Sequence, residues 1–293
     1  MALIYNLLAA LINVAVMVAF KLLVLDGNLT ASSSGLIRNL FGFIAFSPLI
    51  IFHLFKKPKD FTKNVPHKWN FLLGITGGIA MFIWPIVYIN METHIAMTFA
   101  FMLPFLANFM LMLWCREKIP KIAWIAKILC LLAVFIILKP KFPHWNIYYS
   151  LALVCVFLWS VSVVFNKKIS QSCAKVYISL YWYLFLTTLV TIACSTSVLS
   201  GIGWSHWVIF LLIGGLNSIG NLFTLLAFKH GKGYLPQMME FVKFIIIIVC
   251  DVLLFDGIIS ISTIVGSIII CLAIGILFFY GGESSEKNLV KLR

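Results

Sequence analysis

Charge is what this sequence has least of. Of 293 residues, 11% are Asp, Glu, Lys or Arg and 62% are apolar, whereas a soluble domain holds about 25% charged and about 45–50% apolar residues. The surface of a water-soluble enzyme of this length cannot be covered with so few polar groups, and a disordered chain would not carry so much apolar mass. Acidic residues are scarcer still: nine stand against 22 Lys and Arg, a net charge of +13. The basic residues form no stripe along any one element; they sit in short connections between apolar runs, which speaks against nucleic acid as a partner. Ordered cysteine and histidine patterns are also missing. The seven cysteines (115, 130, 155, 173, 194, 250 and 271) are odd in number, make no CxxC pair and mostly lie in apolar runs. They read as packing residues, not as a disulfide framework or zinc site. No HExxH spacing and no catalytic cluster of His, Asp or Glu occurs, so no enzyme, metal or cofactor is expected. No filter loop or charged ring marks a channel.

What the chain does have is apolar runs of membrane length, about 20 residues per crossing. Ten spans are expected, at about 3–25, 34–55, 69–90, 94–115, 122–138, 145–165, 176–199, 204–228, 234–255 and 258–280. The stretch from Val176 to Phe228 holds no Asp, Glu, Lys or Arg. It is too long for one crossing and divides at Ser200-Gly201-Ile202-Gly203. The first span lacks a basic leader and is too long for a signal peptide. With an inside N-terminus, the inside connections and tail carry 16 Lys and Arg and the outside connections carry two, Lys139 and Lys141. The positive-inside rule then puts both termini in the cytoplasm.

An internal repeat follows from the same reading. Spans four and five, and again nine and ten, are a long span, an acidic residue at a tight turn (Glu117, Asp256) and a second span. Phe20-Lys21 likewise resembles Phe165-Asn166. Five spans is an odd number, so the second unit enters the membrane inverted. The expected fold class is an all-α integral membrane protein of ten transmembrane helices in two inverted five-helix repeats, 1–139 and 140–282, with a cytoplasmic polar tail, 283–293. Such a layout places a site near the midplane between the halves.

Five stretches carry a family likeness. They are Ile37-Arg38-Asn39-Leu40-Phe41, the Ala96…Pro104…Glu117 pattern, Leu158-Trp159 through Asn166-Lys167-Lys168, Ala227-Phe228-Lys229-His230-Gly231 leading to Glu240, and the Asp256…Gly266 hairpin. In that order the chain resembles the drug/metabolite transporter superfamily, EamA type, over nearly its whole length. It is also similar to bacterial S-adenosylmethionine uptake carriers, which carry an Arg-aromatic pair in the second span and an aromatic-Leu-Glu motif in the ninth. Here Arg38 is followed by Asn39 with the aromatic at Phe41, and Glu240 follows Met238-Met239. The resemblance implies a carrier in a bacterial inner membrane, with a small metabolite and membrane lipids as partners, acting as a monomer or weak dimer.

A charge at bilayer depth costs about 2.5–3.5 kcal/mol on insertion scales, so the few present are informative. Lys21, Arg38, Lys127, Glu240, Lys243 and Asp251 lie within spans. Glu240 and Lys243 are i,i+3 and share a helix face. They read either as a self-neutralising pair that lets the helix insert or as a cavity-facing carboxylate for a cationic group, tuned by Lys243. Arg38 reads as a carboxylate clamp or as a structural group on helix carbonyls. Lys21 and Lys127 are expected to snorkel to the interface. Asp251 is a further gate candidate. Asn217 and Asn221, i,i+4, either join helices or line a cavity. Trp84, Tyr88, Trp159, Trp182 and Tyr183 are candidate cavity walls, and Pro85 can kink the third span beside Trp84. The expected substrate-binding set is therefore Glu240, Arg38, Lys243, Trp84, Tyr88, Trp159, Asn217 and Asn221. The function it implies is secondary transport by alternating access of a small zwitterionic or cationic metabolite, with S-adenosylmethionine as the candidate. An amino-acid or drug exporter, or a flippase of a lipid-linked amphiphile, uses the same architecture.

Overall fold

The computed structural model describes the chain apart from residues 26–30, 58–64, 92, 140–145, 174, 195–203, 256–260 and 291–293. The helices in chain order are α1 (Ala2–Leu25), α2 (Ala31–Lys56), α3 (His67–Asn90), α4 (Thr93–Ala100), α5 (Leu103–Cys115), α6 (Lys121–Leu138), α7 (Ile147–Ser172), α8 (Val176–Cys194), α9 (Trp204–His230), α10 (Tyr234–Phe255) and α11 (Ile261–Val290). Hydrocarbon offers the backbone no partner, so helices that satisfy their own N–H and C=O groups are the natural outcome of such apolar runs. Among the described residues, seven stretches, in α1, α2, α4–α5, α6, α7, α8 and α9, are long and apolar enough to cross a membrane. Large apolar side chains such as Leu253, Leu212 and Phe52 lie on the outside, while Asn6, Asn39, Asn108 and Asn217 are buried. This is the reverse of a soluble protein and suits a lipid surround.

The helix ends are set locally. The Asn146 side chain caps α7 by accepting from the Tyr149 N–H at 3.2 Å. Arg116 closes α5 in the left-handed region (φ 52°), its N–H returning to Leu111 O. A side chain there crowds its own backbone, and glycine does not. Arg116→Gly is expected to raise the melting temperature in detergent by about 1–2 °C, from ~0.5 kcal/mol of relieved strain, and Arg116→Val is expected to lower it. Equal temperatures for both would show that the cap is unstrained.

The packing has a regular plan. α3 lies against α7 and α8, and α9 against α1 and α2. α5 lies against α7, and α10 against α1. α2 meets α8, and α6 meets α11. Exchanging α1, α2, α3, α4–α5 and α6 for α7, α8, α9, α10 and α11 converts this set of pairings into itself. Small residues allow the closest approaches: Gly74 and Gly78 of α3 abut Leu186 and Val190 of α8, and Gly214 of α9 abuts Phe41 and Gly42 of α2, with Ser218 beside it. Small residues four apart are the usual means of close helix contact in membranes. Gly74 to Gly214 and Gly78 to Ser218 are both spaced by 140 positions.

Three expectations are corrected. The fourth span is two helices, α4 and α5, broken at Phe101–Met102. Pro104 has no N–H to give Ala100 O, and its ring crowds that carbonyl. Lys127 does not snorkel: it is fully buried and donates to Pro104 O at 3.0 Å. Finally, α7 runs to Ser172, past the expected end of the sixth span, and carries Lys167 into the protein. The Lys167 ammonium donates to Gly231 O at 2.7 Å and to Phe228 O at 3.2 Å, closing the C-terminus of α9, where a cation is favoured.

Candidate functional site

The inner face of α10 is the clearest part of the site. Val249 and Leu253 are exposed, at 49% and 74%. At 100° per residue Glu240 lies 180° from Val249 and 140° from Leu253, so it points away from lipid. Phe241, Met238 and Tyr234 hold α10 against α6 and α11 in one apolar cluster, which leaves the Gln237–Glu240 side turned inward. Lys243 donates to Glu240 Oε1 at 2.6 Å. The buried Gln237, one turn before Glu240, has an Oε1 without a partner among the described residues.

α9 forms a second wall. Asn217 and Asn221 lie 180° from the exposed Val208 and Leu212, again by the nine-residue spacing. Both amide nitrogens are buried and unpartnered among the described residues. Beside them, Gly220 lets Asn13 of α1 approach. α2 supplies Arg38, whose buried Nε also lacks a partner among the described residues. Arg38 lies near Tyr183 of α8, and Tyr183 is seated against Gly77 of α3. Next to Arg38, the Asn39 amide donates to Met81 Sδ of α3 at 3.0 Å.

The aromatic candidates divide. Trp84 and Trp159 meet, with ring centroids 5.0 Å apart and planes at 55°, joining α3 to α7. The side chains of Tyr88, Lys21, Pro85 and Asp251, and all of Asp256, lie outside the described residues. No hydrogen bond or ion pair joins Arg38 of α2 to Glu240 of α10 among the described residues.

The interior is thus marked by polar atoms waiting for a partner. An unpaired buried donor or acceptor costs about 1–3 kcal/mol, so each such atom is a place for a water or another polar group. Asn6, Asn39 and Asn108 join Asn217, Asn221 and Gln237 in this set. Asn6, Asn39, Asn108 and Gln237 were missed in the sequence, although the rule that picks Asn217 and Asn221, an amide at bilayer depth, applies to them equally.

A cavity of about 320 Å³ opens at the helix ends, where the α5–α6 turn meets the α9–α10 turn. Glu117, Lys118, Lys167 and Gln171 line it, and none of the expected binding residues does. There Glu117 Oε1 accepts the Gly233 N–H at 2.6 Å, capping the start of α10. A Cβ at Gly233 would lie 2.8 Å from Glu117 Oε2, which accounts for glycine at that position.

Comparison with known proteins agrees with this architecture. Residues 1–139 match the EamA-like transporter family. A solved structure described as "Crystal structure of protein" superposes with a TM-score of 0.74 over 95% of this chain and 96% of that one, at 14% identity, a likeness of fold alone. No curated protein matches the chain. The many apolar helices, with the match of residues 1–139 to the EamA-like transporter family, support a multi-pass membrane transporter.

Proposed function

We propose that the chain is a secondary transporter built from two inverted five-helix units, 1–139 and 140–282. It moves a small zwitterionic or cationic metabolite across a bacterial inner membrane by alternating access, with both termini and the tail, 283–293, in the cytoplasm. The helix pairings that map onto themselves when the halves are exchanged support the repeat, as does the 140-residue spacing of the small-residue contacts. The observation that carries the transport reading is Glu240 on the side of α10 opposite the exposed Val249, one turn from the unpartnered Gln237, with further unpartnered buried amides on α1, α2, α5 and α9. A permanently packed core would pair or exclude these atoms, whereas a pathway leaves them for its solute.

In this reading the solute's ammonium or sulfonium goes to Glu240 and its carboxylate to Arg38, with the Trp84–Trp159 pair adding cation–π attraction. S-adenosylmethionine offers all three groups and is the candidate substrate. Radiotracer uptake of S-adenosylmethionine and of amino acids into proteoliposomes tests it: saturable uptake of at least one is expected, and uptake of none overturns the reading. Arg38→Lys is expected to lower uptake about tenfold at equal protein level, because Lys lacks the planar fork that holds a carboxylate at two points. Full activity of Arg38→Lys would assign Arg38 to structure.

A further inference from the structure

The Glu240–Lys243 pair poses a question that the transport reading leaves open. If Glu240 receives the solute's cation, its oxygen is already taken, by a lysine of its own helix at 2.6 Å. We propose that Lys243 is a tethered stand-in for the solute's ammonium. It holds Glu240 in the empty carrier, hands it over when the solute arrives, and turns to the solute's carboxylate alongside Arg38. The inference rests on the transport reading above and deepens it by naming the solute's chemistry: an α-amino-acid group, whose paired charges replace the protein's own pair.

Three observations carry it. First, access: Glu240 keeps 34% of its side-chain surface and Lys243 18%, and Glu240 lies opposite the lipid-facing Val249. That exposure leaves the carboxylate within reach of an incoming cation. Glu240 Oε2 has no hydrogen bond among the described residues, so a second donor can begin to bind before Lys243 leaves. Second, mobility: a lysine is a compact charge on a flexible four-carbon stem, and the i,i+3 contact is broken by side-chain rotation without moving α10. Third, charge balance: one carboxylate faces one ammonium in the empty carrier, and two such pairs stand in the loaded one, so neither state leaves Glu240 bare. A bare carboxylate at bilayer depth would slow the occlusion of the empty carrier by roughly a hundredfold. With Lys243 in place the unloaded protein can return, and net uptake is possible. Without it the carrier turns over only when loaded on both sides.

The test compares net uptake with exchange. Proteoliposomes bearing wild-type or Lys243→Met protein take up labelled S-adenosylmethionine, either empty or preloaded with the unlabelled compound. The ratio of net uptake to exchange is expected to fall about a hundredfold in Lys243→Met and to recover in Lys243→Arg. A merely structural lysine would lower both modes together, and that result overturns the proposal. A second arm is independent of the native substrate. In detergent, millimolar propylammonium is expected to raise the melting temperature of Lys243→Ala by several degrees. Neutral propanol should not, and neither amine nor alcohol should act on Glu240→Gln/Lys243→Ala. Equal effects of amine and alcohol on Lys243→Ala, or none from either, overturn the proposal. Should wild-type protein fail to move S-adenosylmethionine while the amine still acts, the candidate substrate falls and the stand-in survives.

Discussion

Glu240→Gln is expected to cut transport by roughly two- to thirtyfold while leaving the amount of protein in the membrane unchanged. Gln keeps the size of Glu and its hydrogen-bonding capacity, and removes only the charge. Hydrogen bonds to a charged group contribute about 1.5–3 kcal/mol, against ~1 kcal/mol for neutral ones, which sets the size of the loss. Insertion should not suffer, because an amide is cheaper than a carboxylate in hydrocarbon. The Lys243 ammonium, now without its 2.6 Å partner, still reaches the amide oxygen one turn away. The measurement is initial uptake rate per unit of membrane protein, with protein level read by blotting and topology by tags at both ends. A wild-type rate in Glu240→Gln would remove Glu240 from the pathway, and the ion pair would then serve only to bring α10 into the bilayer.

The burial of the α9 amides Asn217 and Asn221 could be foreseen because it depends on local quantities. Both are polar residues in apolar runs, and helical spacing sets their faces whatever the neighbours are. Lys127 could not be placed in this way. Near the start of a span it has the pattern of a snorkelling lysine, and its burial depends on a carbonyl 23 residues earlier, at Pro104. The break between α4 and α5 was signalled by Pro104 but hidden by hydropathy, which averages over a window and continues smoothly through the turn at Phe101–Met102. Lys167 shows the same limit. Two lysines after an apolar run look like a cytoplasmic connection, yet α7 continues because the α9 C-terminus, 61 residues ahead, presents Phe228 O and Gly231 O to the ammonium. Contacts between distant elements, not composition, decide where those charges go. The same holds for the pairing of Trp84 with Trp159, each visible as an aromatic but not as a partner of the other.

Gly214→Ala is expected to be the most damaging single substitution for stability. A Cβ there would lie 2.5 Å from Gly42 N and 2.6 Å from Phe41 C. Both are backbone atoms, so no side-chain rotation relieves the overlap, and α9 must separate from α2. Overpacking typically costs about 1–3 kcal/mol where side chains can yield; a backbone clash belongs at or above the upper end, a fall of about 6 °C or more in melting temperature at ~2–4 °C per kcal/mol. Two other glycines supply the controls. Gly215, the next residue, would meet only the Ala45 Cβ at 3.5 Å, an ordinary contact, and Gly275 has nothing within 4 Å. Gly215→Ala and Gly275→Ala should therefore match wild type or gain slightly, since Ala favours helix over Gly by about 0.8–1 kcal/mol. Thermal unfolding of the three variants in one detergent makes the comparison. If Gly214→Ala melts with Gly215→Ala, then α2 and α9 do not approach as closely as the structure has them. If it alone collapses, the α2–α9 contact is fixed at backbone distance, and with it the positions of Arg38 and Asn217 on the two walls of the site.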